Sequence, residues 1–343
     1  MENQRVAQRT ALITGITGQD GGYLAQYLHA RGYRVVGVTR RTTAPARDRL
    51  PEAVRDLELV SADLLDQSSL FTIVDQVQPD EIYNLAAQTF VPASWQQPLL
   101  TAEVTGLGLT RLLEAVRLLR PTARVFQASS SEMFGQATIS PQNEKTPFHP
   151  RSPYGASKLF AHWIASNYRE CYGLFVASGI MFNHESPRRG PEFVTRKISG
   201  AVARIAHGRE SRLALGNLDA RRDWGYAPDF VRAMHAMLQT PEPHDLVIAT
   251  GEAHSVREFC ALAFAEVGLE WQRYVTIDPA LFRPAEVEAL VGDASKAETI
   301  IGWRPTLRFA DLVRVMVEAD VRLLSPGTEA HLELTGSQPR PSR

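Results

Sequence analysis

Short apolar runs of β type recur at Ala11–Thr14, Val35–Val38, Leu57–Val60, Ile82–Ala86, Val125–Ala128 and Phe175–Ile180, with helical patterns between them. That alternation predicts βαβ units around a parallel sheet. Between the first two runs Tyr23, Leu24, Tyr27 and Leu28 fall at helical spacing, and Gly32 stands where a helix stop belongs. The alternation breaks down after about Asn183. There Pro187-Arg188-Arg189-Gly190-Pro191 opens a stretch of mixed helices and short strands, and from Ser325 the tail loses its period.

Length and composition fit this pattern. The chain has 343 residues, enough for one large α/β domain and a smaller one. With 37 Lys+Arg against 38 Asp+Glu the net charge is −1, so no global positive charge is available for nucleic acid or anionic lipid. Hydrophobic residues at 44% and charged residues at 22% are ordinary for a globular protein. Cys171 and Cys260 lack CxxC spacing, which argues against a zinc site or a disulfide framework. No stretch resembles a signal peptide or reaches the ~20 apolar residues of a membrane span. The expectation is a cytoplasmic protein with no metal, nucleic-acid or membrane partner.

The segment Thr14-Gly15-Ile16-Thr17-Gly18-Gln19-Asp20-Gly21 follows the first strand and opens a helix. Glycines permit a tight turn and let backbone N–H groups approach a pyrophosphate, to which the helix N-terminus adds its dipole. This predicts a dinucleotide site and, with the strand alternation, a Rossmann-type doubly wound parallel sheet. The expected organisation is a cofactor-binding domain over residues 1–182, a smaller α/β substrate region over 183–324 with some segments returning to the sheet, and a flexible tail over 325–343. The second strand ends in Val38-Thr39-Arg40-Arg41 without the acidic residue that binds a ribose 2′-hydroxyl, so NADP is expected through Arg40. Asp63-Leu64 follows the third strand, where the carboxylate serves either the adenine amino group or a helix N-cap.

Tyr154 and Lys158 lie four apart at the start of a helix whose Leu159, Phe160, Trp163 and Ile164 form an apolar face. They share one side of it, one turn apart. An ordinary tyrosine titrates near ~10; a lysine ammonium and an oxidised nicotinamide each favour the phenolate and lower that value by ~1–3 units. Tyr154 then serves as base toward a hydroxyl. Upstream, Ser129-Ser130-Ser131-Glu132 lies at the C-terminal end of the fifth strand, the edge where open α/β sheets bind ligands. Ser130 can hold the oxygen that Tyr154 deprotonates. Glu132 is either a solvated strand-end residue or a second proton-transfer group that simple alcohol oxidation does not need.

Gly15 to Gly21, Ser130, Glu132, Tyr154 and Lys158 resemble the extended short-chain dehydrogenase/reductase superfamily. Within it the glycine turn, Asn183-His184-Glu185-Ser186-Pro187-Arg188-Arg189-Gly190, Arg222-Asp223-Trp224-Gly225 and Phe282-Arg283-Pro284-Ala285-Glu286-Val287 resemble the GDP-mannose 4,6-dehydratase family. The resemblance covers about residues 9–322. It implies a redox-neutral dehydration: Tyr154 deprotonates the C4 hydroxyl as hydride passes to NADP, Glu132 abstracts the C5 proton and assists loss of the C6 hydroxyl, and hydride returns to C6. GDP-D-mannose would become GDP-4-dehydro-6-deoxy-D-mannose. The resemblance also implies cofactor contacts at Gly15, Thr17, Gly18, Gln19, Asp20, Gly21, Arg40, Asp63, Leu64, Leu85, Ala86, Ala87, Tyr154, Lys158, His184 and Arg189. For the sugar nucleotide it implies Ser94, Asn183, Lys197, Asn217, Arg222, Arg283 and Glu286. Alternatives are another GDP-hexose or GDP-heptose, a C4 reductase or epimerase of sugar nucleotides, or an NADP-sensing binding protein.

Three departures stand out. Ser130 stands where many relatives have threonine, which carries the same hydroxyl. Thr105 occupies a position where the superfamily has a helix-bending asparagine, leaving open what replaces its hydrogen bonds. The loop Thr42–Arg47 lacks the serine- and asparagine-rich character of the family loop that reaches a neighbouring subunit. A homodimer through helices containing Leu109–Leu119 and Leu159–Tyr168 is expected, with a homotetramer as the alternative.

Overall fold

Residues 8–40, 46–282 and 289–325 are described, from a computed structural model. The strands are β1 (Thr10–Thr14), β2 (Arg34–Thr39), β3 (Glu58–Ser61), β4 (Glu81–Asn84), β5 (Arg124–Ser130), β6 (Val176–Met181), β7 (Asn183–Glu185), β8 (Leu213–Leu215), β9 (Arg221–Tyr226), β10 (Asp245–Ile248), β11 (Ala253–Ser255), β12 (Val275–Ile277) and β13 (Ala289–Leu290). The helices are α1 (Gln19–His29), α2 (Gln67–Val77), α3 (Val91–Gln96), α4 (Pro98–Thr101), α5 (Gly108–Leu119), α6 (Pro153–Tyr172), α7 (Val194–Ala206), α8 (Ala227–Met237), α9 (Val256–Ala265), α10 (Ser295–Ile301) and α11 (Phe309–Leu324). Each apolar run expected to be a strand is one, with ends displaced by a residue or two.

The main sheet has seven strands in the order β10-β6-β5-β4-β1-β2-β3, and every pairing in it is parallel. The order reverses between β1 and β4. Loops leaving these strands diverge to opposite faces and open a crevice at the C-terminal edge, where such sheets take ligands. One face is covered by α1 and α8, burying Leu24, Leu28, Phe230 and Met234 with Trp303. The other is covered by α2, α5 and α6, burying Leu70, Ile73, Leu112, Leu113 and Ala165. Removing each large side chain from water contributes ~1.5–3 kcal/mol, which holds the layers together. β10 and α8 come from beyond residue 182, so the later part of the chain completes the main sheet.

A second core joins α7, α9 and α11 around β9, with Ile198, Phe259, Phe264, Leu312 and Trp224 buried. β9 pairs with β11 antiparallel and with β7 and β13 in parallel, so one strand links this core to the main sheet through β7. Asp223, buried in β9, accepts from Thr250 N at 2.8 Å, Thr250 Oγ1 at 2.6 Å, Gly251 N at 2.9 Å and Gly292 N at 3.2 Å. That carboxylate fastens β9 to the loops after β10 and β13.

Two local details differ from the expectation. On α6 the inward face carries Ala161, His162, Ala165 and Ser166, whereas Phe160 and Trp163 are 43% and 54% exposed. The apolar face read there points mostly outward, because the sheet side needs small residues to let the helix approach. The segment Ala102–Leu107 is π-helical between α4 and α5, and Thr105 Oγ1 accepts from Gln88 N at 3.2 Å. Its hydroxyl thereby pins the irregular turn to the loop after β4. Of the Thr42–Arg47 loop, Thr42–Pro45 lie outside the described residues.

Candidate active site

The glycine-rich turn is built where side chains have no room. Gly15 has φ +69°, and a Cβ there would lie 2.9 Å from Ala86 N; one on Gly21 would lie 2.3 Å from Gly15 O. Gly18 caps α1 without a side-chain hydrogen bond, so no cap side chain occupies the first N–H groups of the helix. Thr14 Oγ1 donates to Asn84 Oδ1 at 2.8 Å and accepts from Leu85 N and Ala86 N at 3.1 Å each, tying the ends of β1 and β4 together. A backbone cradle with uncapped donors on a helix N-terminus fits the pyrophosphate of a dinucleotide. Leu85 lines the crevice. Arg40 is exposed at the end of β2, where its guanidinium is accessible to a ribose phosphate. Asp63 accepts from Leu65 N at 3.0 Å, a turn role, while the cap of α2 is Asp66, which accepts from Ser68 N at 2.9 Å.

At the C-terminal edge of the sheet lies a cavity of about 510 Å³, lined among others by Asp20, Ser130, Glu132, Tyr154, Lys158, Asn183, His184, Arg189, Lys197, Asn217 and Arg222. Local sequence explains the placement of its central pair. Ser152 Oγ accepts from Gly155 N at 3.0 Å as the N-cap of α6 and Pro153 occupies the first turn, which starts the helix there. Tyr154 and Lys158 then lie one turn apart on the sheet side, both buried. Lys158 Nζ donates to Ala128 O at 2.7 Å and lies 5.8 Å from the Tyr154 ring centre. Ser130 ends β5, and its Oγ accepts from Glu132 N at 3.2 Å, which turns the chain so that Glu132 enters the cavity half-buried.

Burial dominates the electrostatics of this pair. Burial raises the Tyr154 phenol to about 12, the Glu132 charge adds to that, and the Ser130 hydrogen bond opposes it. The phenol is therefore protonated, not poised as a phenolate. Burial lowers the Lys158 ammonium to about 8 against the pull of Asp20. Both groups are desolvated, so a positive charge beside Tyr154 favours its ionisation.

On the other wall, Asn183 Oδ1 is buried without a hydrogen-bond partner among the described residues, an acceptor with capacity for a ligand. Lys197 Nζ donates to Ala214 O at 2.7 Å, and Asn217 Oδ1 accepts from Asp219 N at 2.9 Å. Arg222 Nη1 donates to Arg221 O at 2.8 Å. Arg189 Nε lies 3.2 Å from Glu185 Oε2, with its guanidinium carbon 3.6 Å from the Phe193 ring centre. Ser94 lies apart from the cavity lining: it is fully buried and its hydroxyl donates to Val91 O at 2.6 Å. A serine one turn into a short helix satisfies the free carbonyl behind it, which the sequence does not distinguish from a ligand contact. Arg283 and Glu286 lie outside the described residues. The sequence reading passed over Phe90, Trp95, Arg151, Glu192, Phe193 and Phe282, which also line the cavity. They come from α3, in the case of Trp95, and from loops of several different connections, and no periodicity signals that these converge. Among the described residues no group of three or more His, Cys, Asp or Glu is arranged to hold a metal, and no helix is long and apolar enough to cross a membrane.

Comparison with known proteins agrees with this architecture. The sequence model of the family described as GDP-mannose 4,6 dehydratase matches residues 12–316. The chain is 52% identical over 328 residues to GDP-mannose 4,6 dehydratase 2 of Arabidopsis thaliana, covering 92% of this chain and 88% of that one. It is 47% identical over 350 residues to GDP-mannose 4,6 dehydratase of Homo sapiens, covering 94% of each. Among solved structures, the UDP-glucose 4-epimerase of Thermus thermophilus in complex with NAD superimposes with a TM-score of 0.79 at 28% identity, over 92% of this chain and 100% of that one.

Proposed function

Because the chain belongs to the GDP-mannose 4,6-dehydratase family, we propose that it converts GDP-D-mannose to GDP-4-dehydro-6-deoxy-D-mannose and water at the cavity on the sheet edge. The reading rests on Ser130, Glu132, Tyr154 and Lys158 lining one cavity beside a glycine-rich turn. In this reading residues 1–182 hold a nicotinamide dinucleotide and residues 183–324 mainly hold the sugar nucleotide. When bound, the cofactor supplies a hydride acceptor for C4 and the hydride that returns to C6, so no net reductant is consumed. Gly15, Thr17, Gly18, Gln19, Asp20 and Gly21, with Leu85, Ala86 and Ala87, would hold its central part. We assign it as NADP because Arg40, not a carboxylate, follows β2. Asp63 and Leu64 would border the adenine.

Tyr154 Oη takes the proton of the C4 hydroxyl, once positive charge beside it has drawn the phenol down against the effect of burial. Lys158 contributes part of that charge, and the Ser130 hydroxyl donates to the C4 oxygen. The carbonyl formed at C4 acidifies C5–H. Glu132 accepts the C5 proton at its carboxylate and passes a proton to the C6 hydroxyl. The C5–H electron pair becomes the C5–C6 double bond as the C6–O bond breaks and water leaves; on hydride return to C6 a proton returns to C5, which balances the one Tyr154 took from the C4 hydroxyl. Positioned proton transfer of this kind contributes ~10²–10⁴-fold. Asn183, Lys197, Asn217 and Arg222, with Arg283 and Glu286, would hold the nucleotide and sugar.

Incubation with GDP-D-mannose and substoichiometric NADP should release a product lighter by one water, read by mass spectrometry, with no net NADPH formed. Stoichiometric NADPH consumption would make the chain a reductase instead. Glu132→Gln should still oxidise C4 while dehydration falls by ~10²–10⁴-fold; product at the wild-type rate in that variant removes Glu132 from its role. The outward apolar side chains Leu118, Phe160 and Trp163 of α5 and α6 support a homodimer through these helices, checked by sedimentation. Two cysteines that remain free, Cys171 and Cys260, support a cytoplasmic setting.

A further inference from the structure

The glycine-rich turn is fastened to β7 by a short polar chain. Gln19 Nε2 donates to His184 O at 3.0 Å and to Asp20 Oδ1 at 3.0 Å, and the Ser186 hydroxyl donates to Gln19 Oε1 at 2.8 Å. His184 completes the link through its ring. Nδ1 lies 2.7 Å from Phe182 O, and Nε2 lies 2.8 Å from Asp20 Oδ2. A carbonyl oxygen only accepts, so Nδ1 carries a proton. One further proton must be placed between Nε2 and Oδ2. Gln19 already donates to the other carboxylate oxygen, Arg189 adds positive charge nearby, and Asp20 sits in the first turn of α1, where the helix dipole favours an anion. The proton therefore resides on the ring, both ring nitrogens donate, and His184 is an imidazolium. It stacks on Phe230 with ring centres 4.4 Å apart at 19°, and the His184 and Asp20 side chains are only 11% and 23% exposed.

The groups facing this pair are few. Arg189 and its partner Glu185 approach from β7 and the loop after it, and Tyr23 of α1 and Lys158 and Tyr154 of α6 feel the Asp20 charge. An unbalanced carboxylate in the first turn of α1 would repel a pyrophosphate at that helix end. We propose that Asp20 and His184 are positioning residues acting as one charge-neutral unit: the imidazolium cancels the carboxylate beneath the glycine-rich turn, and loss of its proton weakens cofactor binding at alkaline pH. This rests on the reading of the turn as the site of a nicotinamide dinucleotide. Burial opposes charge on His184, but the Asp20 carboxylate and its hydrogen bond outweigh it and raise the ring above its ordinary value of 6.5, against the opposing charge of Arg189. The pair is thus fully formed below that value and is lost as pH rises through the raised one.

The test is calorimetric titration of the full chain with NADP from about pH 6 to about pH 9.5, joined to nitrogen-15 spectra of labelled histidine. The wild-type dissociation constant should rise about tenfold through a single-proton step above 6.5, the effect of one unit charge over ~10 Å at an effective dielectric constant near ~20. Asp20→Asn removes the carboxylate that raises the His184 ring, and burial then keeps the ring neutral across this range, so its affinity should show no step. His184→Asn leaves the carboxylate unbalanced, so it should bind at the weak level throughout. In the spectra the His184 ring of the ligand-free wild type should carry both protons at neutral pH. A step that persists in Asp20→Asn belongs to Lys158 and overturns the inference, as does a singly protonated His184 ring in the wild type. Failure of NADP and NAD to bind at any pH overturns the reading of the site as well.

Discussion

Substitution of one glycine in the turn, with its neighbour as control, tests whether backbone crowding shapes the cofactor site. A Cβ on Gly21 would lie 2.3 Å from Gly15 O, 2.6 Å from Ile16 Cα and 2.7 Å from Ile16 O. All three are backbone atoms, so no side-chain rotation relieves the overlap, and the turn must move by ~1 Å from α1. Overpacking costs ~1–3 kcal/mol. The same displacement misaligns N–H groups aimed at a charged ligand, each worth ~1.5–3 kcal/mol. Gly21→Ala should therefore lower the melting temperature by several degrees and weaken the cofactor by at least about tenfold. The next residue behaves oppositely: a Cβ on Gly22 meets only Pro51 Cδ at 3.3 Å and Cγ at 3.5 Å, with Arg188 Nη1 at 3.5 Å, all side-chain atoms. Gly22→Ala replaces a poor helix former by a good one, a gain of up to ~1 kcal/mol, and should leave cofactor affinity unchanged. Thermal unfolding and calorimetric titration of both variants decide the matter. Wild-type behaviour of Gly21→Ala, or equal damage from Gly22→Ala, refutes the argument from close approach.

Arg40→Ala should weaken NADP by about tenfold or more while leaving NAD nearly unchanged, because only the former carries the 2′-phosphate; equal loss of both cofactors, or of neither, removes Arg40 from that role. Lys158, lowered to about 8 from an ordinary 10.5 by burial, opposes folding while charged, and this penalty fades as pH rises from 8 towards 10.5. Lys158→Met should consequently melt at a higher temperature than the wild type near neutral pH while losing turnover, and a lower melting temperature would contradict the desolvation argument. For the wild type without ligand the same lysine predicts stability rising with pH above 8, measured by denaturant unfolding at several pH values.

The legible part of the site consisted of signals written within a few consecutive residues. Gly15 to Gly21 following β1 announces an anion cradle, because only glycine tolerates backbone at 2.3 Å from its Cβ position. Tyr154 and Lys158 share a face by helical geometry alone. Ser94 shows the limit: its hydroxyl is spent on Val91 O, and nothing in the residue type separates a helix-satisfying serine from one that meets a ligand. The outward turn of Phe160 and Trp163 shows another, since an apolar stripe fixes which residues share a face but not whether the sheet or a second subunit covers it.

Composition, strand alternation, the spacing of the glycines and the start of α6 were determined by the sequence alone, since propensity, capping and close approach act between neighbours along the chain. Tertiary structure decided what depends on distance through space. β10 and α8 return from the later half to complete the sheet, and Asp20 reaches His184, a contact at 2.8 Å between residues 164 apart. Burial raises Tyr154 and lowers Lys158, shifts that their spacing does not show, because desolvation is set by everything packed around a group and not by the residues beside it in sequence.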